Sequence, residues 1–192
     1  MGWPLCGADP GSHGATLIFI RTPIEGAFIL ELNRLEDERG FFARSFCQNE
    51  FAQHGLSAHV AQCNVSFNFK RGTLRGLHYQ APPHEEAKLV RCTQGVIWDV
   101  ALDLRPASSS FKCWHGVELS AVNRLAFYIP GGCAHGFQTL SDGAEVLYLM
   151  SEFYHPESSR GVRWDDPAFG IRWPMLDPSM SERDRSFALF DG

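Results

Sequence analysis

From residue 16 onward the chain is cut into short runs of β-branched, aromatic and aliphatic residues, each closed by Gly, Pro, Asn or Asp. TLIFI (16–20), AFILELNRL (27–35) and VAQCNVSFNF (60–69) are such runs, and LEDERGFFARSF (35–46) sets a charged turn ahead of an aromatic pair. KLVRCTQGVIWDVALDLR (88–105) reads as two strands joined near Gln94-Gly95. CWHGVELS (113–120), RLAFYIP (124–130), HGFQTL (135–140) and AEVLYLMSEFY (144–154) continue the series. No segment carries the apolar period of a long amphipathic helix. Short helical pieces are expected at EFAQHGL (50–56), closed by Gly55, and near SERDRSF (181–187). Evenly spaced short strands satisfy their backbones by antiparallel pairing, which points to an all-β sandwich or jelly roll.

At 192 residues the chain is most simply one domain, residues 16–192, behind a loose tail over 1–15 rich in Gly, Pro and Ala. The segment RWDDPAFGIRWP (163–174) is too irregular for a sheet core and is expected to wrap the barrel. A formal net charge of -5 argues against a nucleic-acid partner bound through a bulk positive field. It leaves room for a small anion held by a few local arginines. No uncharged apolar run approaches the roughly 18 residues that span a bilayer. The first residues lack the basic start and apolar stretch of a signal peptide. The six cysteines show no C-x-x-C pair, so the expected setting is cytoplasmic, with free thiols and no membrane partner.

Chemistry concentrates in RGTLRGLHYQAPPHEEAKLVRCTQG (71–95), where Arg75, His78, Lys88 and Arg91 lie close in sequence. Strand alternation puts Leu74, Gly76 and His78 on one face and Arg75, Leu77 and Tyr79 on the other. An imidazole beside fixed cations suits proton transfer on an anionic substrate, while His84-Glu85-Glu86 offers a competing account in ordinary ion pairs. By the same parity Gln62, Asn64, Ser66 and Asn68 share a face. In IPGGCAHGF, the turn made by Pro130 and two glycines either aims His135 at a ligand or is capped by it. Two histidines in a small barrel raise the question of a metal. Such a site wants three or four matched ligands, and Gln80 stands where a second histidine would be expected two positions after His78. Glu85 or Glu86 leaves the set incomplete, so no metal is expected.

Eight segments in order resemble the dTDP-4-dehydrorhamnose 3,5-epimerase family: DERGFF (37–42), QCNVS (62–66), LRGLHYQ (74–80), KLVRC (88–92), DVALDLR (99–105), IPGGCAHGF (129–137), VLYLMSEFY (146–154) and WDDPAFGIRWP (164–174). The resemblance implies a cupin-type jelly-roll barrel with short peripheral helices. It implies an isomerase, free of cofactor and metal, that inverts C3, C5 or both of a nucleotide-diphospho-4-keto-6-deoxyhexose. Carried over position by position, His78 resembles the general base and Asp184 the aspartate behind it. Tyr148 resembles the proton donor of the opposite face and Lys88 the cation at the keto oxygen. Arg75, His135, Gln62, Asn64 and Tyr154 resemble substrate ligands. Arg39 and Phe42 resemble residues that reach a partner's site, implying a homodimer with active sites near the interface.

The residue types suit that chemistry in their own right. An α-proton is removed near neutral pH by an imidazole, the enolate oxygen needs a cationic donor, and a phenol stays protonated until a carbanion demands its proton. The chain departs from the family pattern at Arg44 and Ser159, where carboxylates are usual, and in the loop SFNFKRG (66–72), one residue longer. The first two departures bear on the identity of the nucleotide base. Two other readings remain open: a metal-dependent cupin with an ion near His78 and His135, and a jelly roll that binds a sugar nucleotide without turning it over.

Overall fold

The computed structural model describes residues 14–191, so the tail expected over 1–15 lies, Gly14 and Ala15 excepted, outside the described residues. In chain order the strands are β1 (Leu17–Arg21), β2 (Phe28–Leu32), β3 (Leu35–Asp37), β4 (Gly40–Phe42), β5 (Gln62–Asn68), β6 (Leu74–Gln80) and β7 (Lys88–Gln94). They continue with β8 (Val96–Asp103), β9 (Trp114–Ser120), β10 (Ala126–Ile129), β11 (Cys133–Thr139), β12 (Ala144–Met150) and β13 (Ser159–Gly161). Two short α-helices, α1 (Gln48–Gln53) and α2 (Glu182–Arg185), and one 3-10 turn (Pro156–Ser158) complete the set among the described residues. No described helix is long and apolar enough to cross a membrane.

Six strands form one sheet in the order β1-β2-β10-β7-β12-β5, five form a second in the order β13-β6-β11-β8-β9, and β3-β4 is a separate hairpin. The strands within each sheet pair antiparallel. Segments far apart in sequence lie side by side, β10 between β2 and β7, as a jelly roll requires. Between the sheets, Val90, Cys92, Phe127 and Val146 meet Ile97, Ala101, Leu119 and Phe137.

Both outer faces are covered at the centre. Strand β8 is buried along nearly its whole length, which explains its near-continuous apolar run. Its Val100 and Leu102 join Leu74 and Leu77 beneath Val162, Phe169 and Trp173 of the C-terminal wrap. Gln138 fastens that wrap, giving Nε2–H to Met175 O and accepting Met175 N–H, both at 2.9 Å. On the other sheet, Phe51 of α1 sits over Phe28, Leu30 and Tyr128.

Two expectations are corrected. The first helix begins at Gln48 instead of residue 50: Phe51 must face the sheet, and Glu50 reaches back to accept Leu17 N–H at 2.7 Å. The segment 163–174 forms no strand and wraps the sheet as expected, and ahead of it β13 adds three residues to the edge of β6, too few to show a period. Strand β11 starts at Cys133, so His135 lies inside a paired strand and caps no turn.

Candidate active site

One cavity of about 740 Å³ is lined by residues of β5, β6, β7, β11 and β12 and closed by the chain around α2. Its make-up depends on an irregularity. His135 of β11 faces His78 of β6, but Phe137 faces Arg75, three steps on one strand against two on the other. A bulge of this kind reverses side-chain parity. Arg75 and His78, expected on opposite faces, therefore both line the cavity, and Leu74 and Leu77 both pack under the wrap. Two glycines permit the approach. A Cβ on Gly76 (φ +125°) would lie 2.5 Å from Gly136 Cα, and one on Gly136 would lie 2.8 Å from Arg75 O.

His78 Nε2 lies 2.8 Å from Asp184 Oδ1, and Asp184 Oδ2 accepts Gly76 N–H at 3.1 Å. Asp184 is buried; Ser181, the residue before α2, accepts its backbone N–H and so fixes where the helix starts. Burial alone would raise this carboxyl. The hydrogen bond and charge of His78, the Gly76 amide and Ser181 outweigh it and hold the group below the usual carboxylate range. An aspartate at Nε2 favours the tautomer with its lone pair on Nδ1, the nitrogen left to accept a proton.

Lys88, the first residue of β7, is buried, with Nζ 3.1 Å from His78 O and 3.0 Å from Glu86 Oε1. Tyr148 of β12 bonds Ser66 Oγ through its hydroxyl at 3.0 Å. Burial drives that phenol far above its ordinary value, against the opposing pull of the Ser66 bond and the Arg75 charge. Arg75 is oriented by Asn68, whose Oδ1 accepts Nε–H at 2.7 Å. His135 forms a second imidazole–carboxylate pair, Nε2 to Asp99 Oδ1 at 2.7 Å, with its ring edge-on to Tyr148 at 6.1 Å. Gln62 and Asn64 line the same wall, and Gln62 Oε1 accepts Tyr154 N–H at the rim.

The cavity thus brings together His78, Asp184, Lys88, Tyr148, Arg75, His135, Gln62, Asn64 and Tyr154. Arg39 and Phe42 stand apart on the β3–β4 hairpin, exposed, with Arg39 paired to Asp37. Arg91 turns away from the cavity to the carbonyls of Arg124 and Ser45. Sequence reasoning missed Asp99, Ser181 and Arg183 as parts of the site. It noted Ser66 and Glu86 without assigning them; the parity shared with Gln62 and Asn64 was the available signal for Ser66.

Gln80 clamps two loops, giving Nε2–H to His84 O and Phe153 O and accepting His155 N–H. Among the described residues, the cluster with donor atoms close enough for a metal is His84, His155 and Glu157, which includes neither His78 nor His135. His84 is accounted for by Ser158 and by stacking on His155, so the ion-pair account of His84-Glu85-Glu86 reduces to Glu86 with Lys88.

An imidazole set by a carboxylate, a protonated phenol and a buried ammonium in one cavity, with an arginine beside them, define a jelly-roll protein built for proton transfer at carbon next to a carbonyl of an anionic ligand. The chain belongs to the dTDP-4-dehydrorhamnose 3,5-epimerase family, whose model matches residues 21–191. It is 46% identical over 172 residues to the dTDP-4-dehydrorhamnose 3,5-epimerase of Methanothermobacter thermautotrophicus, covering 88% of this chain and 92% of that one. The crystal structure of the same enzyme from Elizabethkingia anophelis superposes with a TM-score of 0.88 at 40% identity, over 91% of this chain and 96% of the other. The Bacillus anthracis enzyme, solved with TDP and PPi bound, gives 0.87 at 38% identity, over 91% and 100%.

Proposed function

We propose that the protein epimerises C3, C5 or both of a nucleotide-diphospho-4-keto-6-deoxyhexose, most simply dTDP-4-dehydro-6-deoxyglucose, the C3, C5 epimer of the dTDP-4-dehydrorhamnose in its family's name. His78 Nδ1 takes the proton next to the ketone, and Asp184 stabilises the imidazolium that forms. The electron pair moves to the keto oxygen, where Lys88 offers an N–H and a positive charge. Tyr148 returns a proton to the carbon from the opposite face, and a second enolisation on the other side of the carbonyl repeats the sequence. Base, acid and electrophile are all side chains, so the chemistry is complete without a cofactor.

Arg75 and His135 take the diphosphate and sugar, and Tyr154 the nucleotide end, as the family resemblance implies. Arg39 and Phe42 complete the nucleotide end of a partner's cavity in a homodimer. Arg44, tied to Glu50 at 2.6 Å, replaces an acidic neighbour of the base with a basic one, which leaves the choice of base open to other nucleotides. Five described cysteines, Cys47, Cys63, Cys92, Cys113 and Cys133, are free, in keeping with a reduced cytoplasmic setting.

The observation that carries this reading is the placement of Tyr148 and the His78–Asp184 pair on one cavity with Lys88. Incubation with the ketosugar nucleotide in deuterated water tests it: deuterium should enter C3, C5 or both, and the pattern tells how many centres turn over. Absence of label at both carbons sinks the proposal.

A further inference from the structure

Glu86 is a buried carboxylate on the cavity wall, paired with the ammonium of Lys88 3.0 Å away. We infer that Glu86 is the positioning residue of Lys88, holding its ammonium in place as the charge that meets substrate; this rests on the epimerase reading above. An ammonium has three N–H donors. One goes to His78 O at 3.1 Å, and the Glu86 carboxylate lies against the ammonium as an ion pair, Oε1 at 3.0 Å from Nζ. The carbonyl and the carboxylate hold Nζ between them, and both Lys88 and Glu86 line the cavity.

The arrangement has two physical consequences. Tethering Nζ to the backbone carbonyl of His78 ties the electrophile to the residue that carries the base. A buried ammonium deprived of its counter-ion is strongly disfavoured, so the carboxylate also secures the charge that the enolate oxygen meets.

The fold does not need Glu86 to hold its loop. Ala87 N–H bonds Ser151 Oγ at 2.7 Å, Ser151 N–H bonds Ala87 O at 2.9 Å, and Ala81 N–H bonds Ser158 O at 2.8 Å. His84 is held by Ser158 through its ring. These bonds secure both ends of the segment that precedes Lys88. The side chain of Glu86 is therefore spent on the ammonium, and Glu86→Gln should fold.

The test is a double-mutant cycle read by solvent deuterium incorporation and by steady-state turnover of the ketosugar nucleotide. Glu86→Gln should lower kcat about 10-fold or more with KM changed less than about threefold, the signature of an interaction made in the transition state. Glu86→Asp, which keeps the charge, should recover part of the loss. In a Lys88→Met background the same Glu86→Gln change should cost less than about twofold. An unchanged kcat, a loss carried by KM, or an equal cost in both backgrounds overturns the assignment. Wild-type protein that incorporates no deuterium would instead defeat the epimerase reading itself, a result separable from failure of the variants.

Discussion

The phenol of Tyr148 shows how burial at a single residue becomes a property of the whole protein. Its value is raised chiefly by burial, with Ser66 and Arg75 opposing. Between the ordinary phenol value of about 10 and the higher native one, the unfolded chain releases a proton that the folded chain keeps. The unfolded state then binds fewer protons, so stability falls as pH rises through that window. Burial pushes the Cys92 thiol up to about 11 and that of Cys133 to about 12, and both act with the same sign from nearer pH 9. The melting temperature should therefore drop from about pH 9 upward, and Tyr148→Phe should show the shallower slope above pH 10. Thermal melts of the two proteins across pH 8–11 check this; parallel curves would discount the phenol. Tyr148 itself was legible from the run VLYLM, as His78 was from RGLHYQ. Asp99 was not, because 36 residues separate it from His135 and only the pairing of β8 with β11 joins them.

At the scale of the element, strand β6 carries the chemistry because it is irregular. A regular strand would send Arg75 to the wrap side whenever His78 met the cavity, as alternation from the sequence required. The bulge against β11 spends an extra residue and gives the cavity both. Gly76 marks the place, but a lone glycine in a strand announces neither the bulge nor its direction, which depends on what Gly136 brings against it. Gly76→Ala should be among the costlier single substitutions. The added methyl meets backbone atoms, Gly136 Cα at 2.5 Å and His135 O at 2.8 Å, at a φ of +125° that favours glycine. A loss of about 2 kcal/mol or more is expected by denaturant titration, with turnover falling further as Arg75 and His78 are displaced. Near-native stability would mean that the strand can rebuild its register. The face that Gln62, Asn64 and Ser66 share on β5 was readable because its pairing with β12 runs without interruption. Strand β13 was not, because three residues display no period.

At the scale of the molecule, the two-sheet architecture followed from strand count and spacing, yet the hairpin expected to serve a site lines no part of its own chain's cavity. The β3–β4 hairpin holds Phe41 between the guanidinium groups of Arg34 and Arg124, at 5.0 and 4.9 Å from the ring centroid. That clamp fixes the hairpin on its own protomer while Phe42 remains 70% exposed and the Arg39 side chain 84% exposed. A large exposed aromatic beside an exposed arginine on a braced arm is suited to entering another molecule. If each cavity receives the arm of its partner, the defects of two variants should complement. His78→Ala destroys a protomer's own cavity but leaves its arm sound, and Phe42→Ala does the reverse. In a mixed dimer the Phe42→Ala protomer keeps His78 and receives an intact arm, so one cavity of the two works. Random reassembly makes about half the dimers mixed, and turnover should recover to roughly a quarter of wild type from two nearly inactive preparations. Sedimentation at micromolar concentration should show the dimer. Activity that stays at the sum of the two variants would place Phe42 outside the partner's site, and a monomer in the centrifuge would remove the arm from the mechanism.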